Sequence, residues 1–600
     1  MVWRFLAVGG SLAAAFLSVI FIGLTPRSID LTDSGYYLNS IKFAADYRYG
    51  ADFGKVYQGL FVLLQGDWGL VRIFVYSLNA VLTFVLFWLL IDWLERFSSY
   101  SPSRIEKVLI ISVGTFGSSF MLHWWLPTPN YNTLAFQGIL IFSIALLLVL
   151  LYGWGHTWMM GLGVFTAFLG KPTTAAILVL LTLSLYFLMN KRRLSAIALA
   201  GSSFIAILFL WSLFQYGGLD QLFDRFAFTL ASVSAVDAGH LGTPQNLSNA
   251  QFLWGKYSPF YRLTIPGAIG LGVFFIAFSI LIVRGFLRSS QKWLDWSNLL
   301  LVLSSLAGFL LFARYQQRGS TAILTLAVPL SLALVTLVLR RVRKRVGNPI
   351  GNLEKNRAGF VLAAVFFLMP IALGFGTGNN FIQRGEAASV LYFAATLIVI
   401  SLLQLRREDL GRKNHWSGQF LTTGLFLVST SYVLVLSILN PYIENQSLFE
   451  MNQSDVIKGV YSSPEVETYL QELRATGLRL GISESTPVFD NTGGSPTAIY
   501  ALGGLPLGSA WIQGGWPGSQ ELAELQIDLH SKECLSSTWV LDEPDTSLKV
   551  FGDFGIQLDP KGEYTLAGEF VHPVSGNRQF LYKPRSESPP VVDCHQTQWK

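Results

Sequence analysis

Long apolar runs recur along this chain of 600 residues and restrict the folds that it can adopt. Each run is close to the roughly 20 residues that an α-helix needs to cross the hydrocarbon core of a bilayer. When adjacent runs are separated at their polar breaks, they predict about thirteen transmembrane helices. Hydrophobic residues make up 52% of the chain and charged residues only 13%, which is too apolar for a single soluble core of this length. The sequence therefore predicts a polytopic α-helical membrane protein.

The placement of lysine and arginine predicts how the chain is oriented. These residues are concentrated in alternate loops, and loops rich in positive charge face the cytoplasm. Such loops contain Arg96 with Arg104, Lys191 to Arg193, Arg284 with Arg288 and Lys292, Arg340 to Arg345, and Arg406 to Lys413. The periplasmic side is then expected to hold residues 25–72, 123–132, 217–262, 314–318, 376–387 and the chain after about 440. The net charge of +6 mostly reflects this bias, so nucleic acid is not an expected partner.

The first apolar run, from Phe5 to Leu24, follows Arg4 as the apolar core of an export signal would. Its length is that of a membrane span, and no small-x-small cleavage site follows before Thr25. We expect it to be the first transmembrane helix, with the N-terminus in the cytoplasm. The expected location is the bacterial plasma membrane.

The composition of the chain changes after Asn440 and Pro441, where it becomes polar and rich in Gly, Pro and Ser. We predict two domains, a transmembrane domain at 1–440, whose first outer loop is 25–72, and a soluble mixed α/β domain at 441–600 on the periplasmic side. In the second domain a helix is expected from Ser463 to Thr476. Strands are expected at 538–541, 548–551 and 580–582.

Both cysteines of the chain, Cys534 and Cys594, fall in this second domain. A pair confined to an exported domain is typical of a disulfide. Closing a loop of about 60 residues would add on the order of 4 kcal/mol to the stability. The alternative is two unpaired buried thiols.

Four polar residues follow the first apolar run at helical spacing. They are Asp33, Tyr36, Tyr37 and Ser40, in T-D-S-G-Y-Y-L-N-S. Residues three and four apart share one face of a helix, so a carboxylate, two phenols and a hydroxyl would project together at the membrane surface. This spacing indicates a site rather than a connecting loop.

Lys171 lies between two apolar runs and is followed at once by a proline, which places it at a helix break. A cation at mid-bilayer costs roughly 2.5–3.5 kcal/mol on insertion scales, so it usually reaches water or an anionic partner. By the predicted orientation Lys171 lies on the same side as Asp33, where a lipid phosphate would suit it. The alternative is a lysine that only extends towards the interface from a helix end.

Three arginines on the expected outer side depart from the positive-inside trend. They are Arg314 and Arg318 in A-R-Y-Q-Q-R-G and Arg384 in N-N-F-I-Q-R-G-E. Because a guanidinium group matches a phosphate well, we predict that one of them binds a phosphate. The alternatives are a pair between Arg384 and Glu386, and a headgroup contact for Arg314.

A segment rich in aromatic residues and amides lies on the same side. His123, Trp124, Asn130 and Tyr131 belong to H-W-W-L-P-T-P-N-Y-N and are candidates to hold a sugar. The alternative is an interfacial aromatic belt. Asp46, Asp52 and Asp67 in the first loop are candidates to assist Asp33, with a merely solvated position as the alternative.

The order of these features resembles that of the membrane-integral C-type (GT-C) glycosyltransferases. They include protein mannosyltransferases, the aminoarabinose transferases that modify lipid A, and bacterial oligosaccharyltransferases. In that superfamily an acidic motif followed by aromatic residues comes directly after the first helix. T-D-S-G-Y-Y-L at 32–38 is similar to it, with Asp33 in the acidic position. The segment at 161–173 is similar to the superfamily's Gly-rich helix that ends in Leu-Thr-Lys-Pro, with Lys171 as its lysine.

The resemblance implies an inverting transfer of a sugar from a polyprenyl-phosphate donor to an acceptor hydroxyl on a lipid, a glycan or a protein. Asp33 would be the general base, Tyr36 and Tyr37 would line the pocket, and Lys171 with one or more arginines would meet the phosphate. Ser34 stands where many members have glutamate. We therefore assign no metal ligands, with a bound divalent metal ion as the alternative, and the absence of nucleotide-binding motifs predicts no nucleotide cofactor.

Three other functions are compatible with the layout. A lipid-linked polysaccharide ligase or polymerase would rely on Arg225, His240 and Arg262 in the 217–262 loop. A transporter would need polar groups inside broken helices at mid-membrane, yet the runs carry few charges. A non-enzymatic anchor for the soluble domain would not need so many spans.

Overall fold

Long helices dominate the computed structural model of the chain. It describes residues 2–47, 52–97, 102–189, 193–240, 353–375, 384–408, 417–441, 447–512, 514, 518–544 and 564–585, together with the single positions 269, 270, 273, 276, 304 and 594. In the first half the helices are α1 (Val2–Gly23), α2 (Asp33–Lys42), α3 (Phe53–Leu63), α4 (Trp68–Phe97), α5 (Arg104–Gly117), α6 (Tyr131–Tyr152), α7 (Trp158–Gly170), α8 (Pro172–Met189), α9 (Arg193–Tyr216) and α10 (Leu219–His240). The next described helices are α11 (Leu353–Gly374), α12 (Val390–Glu408) and α13 (Ser417–Leu439).

Six helices in the described part of the chain are long and apolar enough to cross a membrane. The spanning segments are Arg4–Gly23, Trp68–Phe97, Arg104–Leu122, Tyr131–Tyr152, Ser195–Tyr216 and Thr422–Leu439. Shorter apolar helices lie at Pro172–Ser184, Ala358–Gly374 and Val390–Leu402. These helices are those of a polytopic membrane protein. The predicted total of about thirteen spans includes residues 241–352, which lie almost entirely outside the described residues.

Small residues bring α6 and α7 into close contact. A Cβ atom at Gly138 would lie 2.4 Å from the backbone nitrogen of Ala167, and one at Gly163 would lie 2.6 Å from that of Phe142. Close approach through small residues is the usual way in which helices associate in a bilayer, where no hydrophobic force drives them together. Helix α7 ends at Gly170, so the break at Lys171 lies at the end of this closely packed pair.

The C-terminal region combines helices with two small sheets. Its described helices are α14 (Pro464–Leu480), α15 (Pro496–Leu502), α16 (Ser519–Ile527) and α17 (Lys532–Ser536), and its strands are β1 (Asn452–Gln453), β2 (Tyr461–Ser462), β3 (Pro487–Asp490), β4 (Leu505–Pro506), β5 (Trp539–Asp542), β6 (Tyr564–Val571) and β7 (Arg578–Pro584). The larger sheet has the order β4-β3-β5-β7-β6. Strand β3 is parallel to both β4 and β5, and β7 is antiparallel to β5 and β6.

The predicted helix and two of the three predicted strands are observed in this region. The strands predicted at 538–541 and 580–582 coincide with β5 and β7, and the predicted helix coincides with α14, which Ser463 caps. The strand predicted at 548–551 lies outside the described residues. Cys534 and Cys594 are joined by a disulfide with 5.6 Å between their Cα atoms.

The C-terminal region packs directly on the loop between α1 and α4. The Trp68 N–H donates to the Lys458 carbonyl at 3.0 Å, and its indole N–H donates to the Tyr500 hydroxyl at 2.8 Å. Next to it, a Cβ atom at Gly69 would lie 2.0 Å from the Gly459 carbonyl oxygen. Two backbones therefore meet here with no room for a side chain.

Gly69→Ala should separate the two backbones and lower the thermal unfolding temperature, with a cost of about 1–3 kcal/mol for overpacking. Gly201→Ala in α9 is the matched control, since a Cβ atom there meets nothing within 4 Å. Thermal unfolding of both variants in the same detergent measures the difference. Equal unfolding temperatures would contradict the close contact.

Candidate functional site

The first turn of α2 is set by Asp30, three residues before the predicted tetrad. Its Oδ1 accepts the N–H groups of Thr32, at 2.8 Å, and of Asp33. Its own N–H donates to the Ser34 hydroxyl at 3.2 Å. Such side-chain bonds satisfy the donors at a helix start and fix where the helix begins. The segment is helical as predicted, and the turn orients Asp33.

Helix α2 is held between α3 and the C-terminal region. A Cβ atom at Gly35 would lie 2.2 Å from the backbone nitrogen of Thr497. The Thr497 N–H donates to the Leu31 carbonyl at 3.2 Å, and the Asn39 side chain donates to the Pro496 carbonyl at 2.8 Å. The start of α15 thus covers the helix that carries Asp33.

The Asp33 carboxyl is half-buried, and two opposing effects act on it. Burial raises its pKa, because a charge is disfavoured away from water, while the Arg384 guanidinium lowers it in part. The net pKa is raised above the usual range. Tyr37 beside it is fully buried, and burial followed by the Asp33 charge holds its pKa well above 10. A carboxylate with a raised pKa is a better base than one in water.

Lys171 is buried at the break between α7 and α8, as the lysine-proline pair predicts. Its Nζ donates to the Leu373 carbonyl at 2.6 Å, near the end of α11, where carbonyl groups lack helical partners. Thr174 adds a bond to the Ala372 carbonyl at 3.0 Å. Lys171 therefore joins two helices, and the Arg384 guanidinium lies close enough for the two charges to repel each other.

The Arg384 charge lowers the pKa of both Asp33 and Lys171, so it links the two groups. Its guanidinium carbon is 5.0 Å from the centre of the Trp124 ring, a cation–π contact that orients the group. Two cations held side by side form a surface suited to an anion. Arg314 and Arg318, the other predicted phosphate ligands, lie outside the described residues.

A cluster of aromatic rings lies near Asp33, whose charge acts on two of them, Tyr37 and Tyr131. Tyr36 contacts Tyr37 at 5.1 Å between ring centres, and Tyr131 contacts Tyr37 at 6.2 Å. Phe53 of α3 contacts all three, and Trp511 of the C-terminal region lies 5.8 Å from Tyr36. We use the term Asp33 site for six residues: Asp33, Tyr36, Tyr37, Tyr131, Lys171 and Arg384. Its members come from α2, α6, the α7–α8 break and the segment before α12.

Two predicted sugar ligands have structural contacts of their own. The Asn130 side chain caps α6 by accepting the N–H groups of Asn132 at 2.9 Å and Thr133 at 3.1 Å, and its amide donates to Thr128. His123 is buried, with Nδ1 2.9 Å from the Phe120 carbonyl oxygen and Nε2 3.6 Å from the Glu386 carboxylate. Asn130 therefore positions Tyr131, and His123 supports Trp124, whose ring it contacts at 5.2 Å.

Two of the three acids of the first loop that were candidates to assist Asp33, Asp67 and Asp52, form bonds elsewhere. Asp67 accepts the Leu70 N–H at 2.9 Å at the start of α4. Asp52 forms a buried ion pair with Arg225 at 3.1 Å and accepts bonds from Trp211 and Tyr216. These bonds tie α3 to α9 and α10.

Arg225 is one of the three residues on which a polysaccharide ligase or polymerase would rely. Its ion pair with Asp52 gives it a structural role. The side chain of His240 and the whole of Arg262 lie outside the described residues. The described part of the chain therefore offers no assembled centre in the 217–262 loop. In that same part, no group of three or more His, Cys, Asp or Glu side chains is arranged to hold a metal ion.

Several residues near the site were not identified from the sequence. Asp30 had a detectable signal, since an acid three residues before another polar residue fits the spacing of a helix cap. Arg72 had none, because its role depends on distant partners. It is fully buried and donates to the Ser28 carbonyl at 2.8 Å and to the Thr128 hydroxyl at 2.6 Å. It thus fastens the loop before α2 to the segment before α6.

Comparison with protein-family models and with curated proteins finds no match to this chain. The geometry of the Asp33 site therefore carries the functional argument.

Arg225→Met should lower the free energy of unfolding by about 3–5 kcal/mol, because it leaves the Asp52 carboxylate buried without its cation. The double variant Asp52→Asn with Arg225→Met should recover part of that loss, since the uncompensated charge is gone. Thermal unfolding in detergent compares the three proteins. A single variant as stable as the wild type would show that the pair is not a structural tie.

Proposed function

We propose that this protein is a membrane glycosyltransferase that moves a sugar from a polyprenyl-phosphate donor to an acceptor hydroxyl. One observation carries the proposal, namely that the Arg384 charge acts both on Asp33, a carboxyl of raised pKa, and on Lys171, beside a group of aromatic rings and apolar helices. A base and an anion site side by side suit a reaction in which a hydroxyl attacks and a phosphate leaves. The likeness of the Asp33 and Lys171 segments to the C-type glycosyltransferases supports the same chemistry.

The reaction would proceed in one displacement. The acceptor hydroxyl gives its proton to Asp33 as its oxygen forms a bond to the anomeric carbon. The bond from that carbon to the phosphate oxygen breaks, and the lipid phosphate leaves with the electron pair. Attack from the face opposite the phosphate inverts the configuration. General-base assistance of this kind contributes roughly 10²–10⁴ in rate.

Lys171 and Arg384 would bind the donor phosphate and stabilise the charge that grows on it as the bond breaks. Both lie beside the apolar helices, where a polyprenyl chain enters from the bilayer. Electrostatic interactions are stronger in such a water-poor site than at an exposed surface. Burial, and then the Arg384 charge, lowers the pKa of Lys171 to about 7, and a bound phosphate would favour its charged form. In that form the bond to a backbone carbonyl leaves two of the three ammonium protons for an anion.

The acceptor would approach from the side of the C-terminal region. That region covers α2 through Thr497 and reaches the aromatic group through Trp511. Rings such as Tyr36 and Tyr37 suit a sugar because they offer apolar faces together with hydroxyl groups. We place this side in the periplasm of a bacterial plasma membrane, as the positive-inside pattern predicts.

Asp33→Asn should reduce sugar transfer by about 10²–10⁴, because the amide keeps the shape of the carboxylate but cannot take a proton. Transfer is measured in membranes supplied with radiolabelled polyprenyl-phosphate sugars at matched expression. The control is Asp220→Asn, an exposed acid in the first turn of α10. Transfer by Asp33→Asn at the wild-type rate would remove Asp33 as the base.

Lys171→Met and Arg384→Gln should each raise the KM for the donor by roughly tenfold to a hundredfold, because a hydrogen bond to a charged group contributes about 1.5–3 kcal/mol. Lys458→Met is the control, since this exposed lysine donates to the Gln65 carbonyl away from the site. Initial rates over a range of donor concentrations give the KM values. An unchanged KM in both site variants would contradict the phosphate assignment.

A further inference from the structure

Asp30 has an unusual arrangement of partners for a buried acid. Only 2% of the residue is exposed, and its Oδ1 accepts two backbone N–H groups. Within the described part of the chain its Oδ2 is buried and has no hydrogen-bond partner. A carboxylate oxygen without donors is costly away from water, whereas a protonated oxygen is far less so. The arrangement therefore favours a proton on Oδ2.

Charged and titratable groups approach Asp30 from each packed element. Asp33 follows it on α2 and is close enough for the two negative charges to repel. On the α4 side Arg72 uses its guanidinium on backbone carbonyls and on Thr128. On the C-terminal side the Thr497 hydroxyl donates to the Asp30 carbonyl. The Asp490 carboxyl of that region accepts hydrogen bonds from the Thr492 hydroxyl and the Ser495 N–H. Beyond Asp33 lie Tyr37, Tyr131, Lys171 and Arg384.

We propose that Asp30 carries the single proton of an Asp30–Asp33 pair and so keeps Asp33 as the ionised member. This inference rests on the proposed role of Asp33 as the base. Two neighbouring carboxyls do not both ionise readily, and the environment decides which one keeps the proton. Arg384 lies by Asp33 and favours its charge, while the unpartnered Oδ2 favours a neutral Asp30. Asp30 is thus a positioning residue that acts through Asp33.

The titration of Asp30 supports this division of roles. Burial, and then the Asp33 charge, raises the pKa of Asp30 to about 7. Below that pH Asp30 is neutral, and above it the pair carries two negative charges. A second negative charge repels an anionic donor phosphate, and Lys171, whose pKa burial lowers to about 7, loses its positive charge in the same range. Transfer should therefore decline as the pH rises through about 7. At low pH transfer should also decline, because protonation of Asp33 removes the base.

Infrared difference spectroscopy of the purified protein tests the proton directly, without any need for sugar transfer. The buried Asp490 carboxyl, whose pKa burial raises to about 6, also holds a proton near this pH, so the signal of Asp30 is the difference between the wild type and Asp30→Asn. That difference should contain a carbonyl stretch from a protonated carboxyl at pH 6, which fades as the pH rises through about 7. In Asp33→Asn the midpoint should move to lower pH, because the repelling charge is gone. A carbonyl stretch at pH 6 that is as strong in Asp30→Asn as in the wild type would show that Asp30 is ionised there and would overturn the inference.

The pH profile of sugar transfer then separates proton sharing from simple helix capping. The amide oxygen of Asp30→Asn can still accept the N–H groups of Thr32 and Asp33, so the cap is kept. Burial also lowers the pKa of Lys171 to about 7, so part of the alkaline decline comes from the loss of its charge. The decline should therefore be shallower in Asp30→Asn than in the wild type, whatever the absolute rate, whereas Asp30→Ala should be impaired at every pH. A decline in Asp30→Asn as steep as that of the wild type would contradict the inference. If the infrared band behaves as expected but no donor is used, the carboxyl pair stands and the glycosyltransferase proposal fails.

Discussion

The contact between α2 and the start of α15 is the constraint on which the site depends. At Gly35 the two backbones approach so closely that even a methyl group would lie 2.2 Å from a backbone nitrogen. Hydrogen bonds from Thr497 and Asn39 fix the relative position of the two segments. The helix with Asp33 is therefore not a free loop at a membrane surface. It is held by residues more than 450 positions later in the chain, and this keeps its carboxyl half-buried.

Burial explains the chemical properties of the site. Away from water, Asp33 becomes a stronger base, and the nearby cations act on it with little screening. Lys171 and Arg384 repel each other, so a bound anion would relieve an unfavourable pair. Asp30, under the same burial, is the member better suited to hold a proton. The base, the anion site and the proton holder that we propose would then share one buried environment.

Local sequence patterns predicted part of this arrangement. The spacing of Asp33, Tyr36 and Tyr37 fits one face of a helix, which the structure has at α2, and a lysine followed by proline predicted the break at Lys171. Both features depend on neighbouring residues, so a sequence window contains the necessary information. The same is true of β5, β7 and α14, whose apolar patterns and cap lie within short segments.

Other features depend on partners that no local pattern reveals. Asn130 was a candidate to hold a sugar, and the structure adds that it caps α6, a role that no sugar is needed to explain. The ion pair of Asp52 with Arg225 and the contact of Trp511 with Tyr36 join positions far apart in the chain. Polar residues in a membrane protein are rare enough to attract a functional interpretation, but several of them here hold helices together. The tertiary contacts distinguish the two roles.

The most direct test of the central claim is to measure which lipid the site holds. Asp33→Asn protein, reconstituted with radiolabelled polyprenyl-phosphate sugars and then repurified, should retain an intact lipid-linked sugar because it can bind the donor but not transfer the sugar. Replacing Lys171 and Arg384 in the same variant should release the label. Failure of Asp33→Asn to retain any polyprenyl-phosphate sugar above the level of the Lys171 and Arg384 variant would contradict the account.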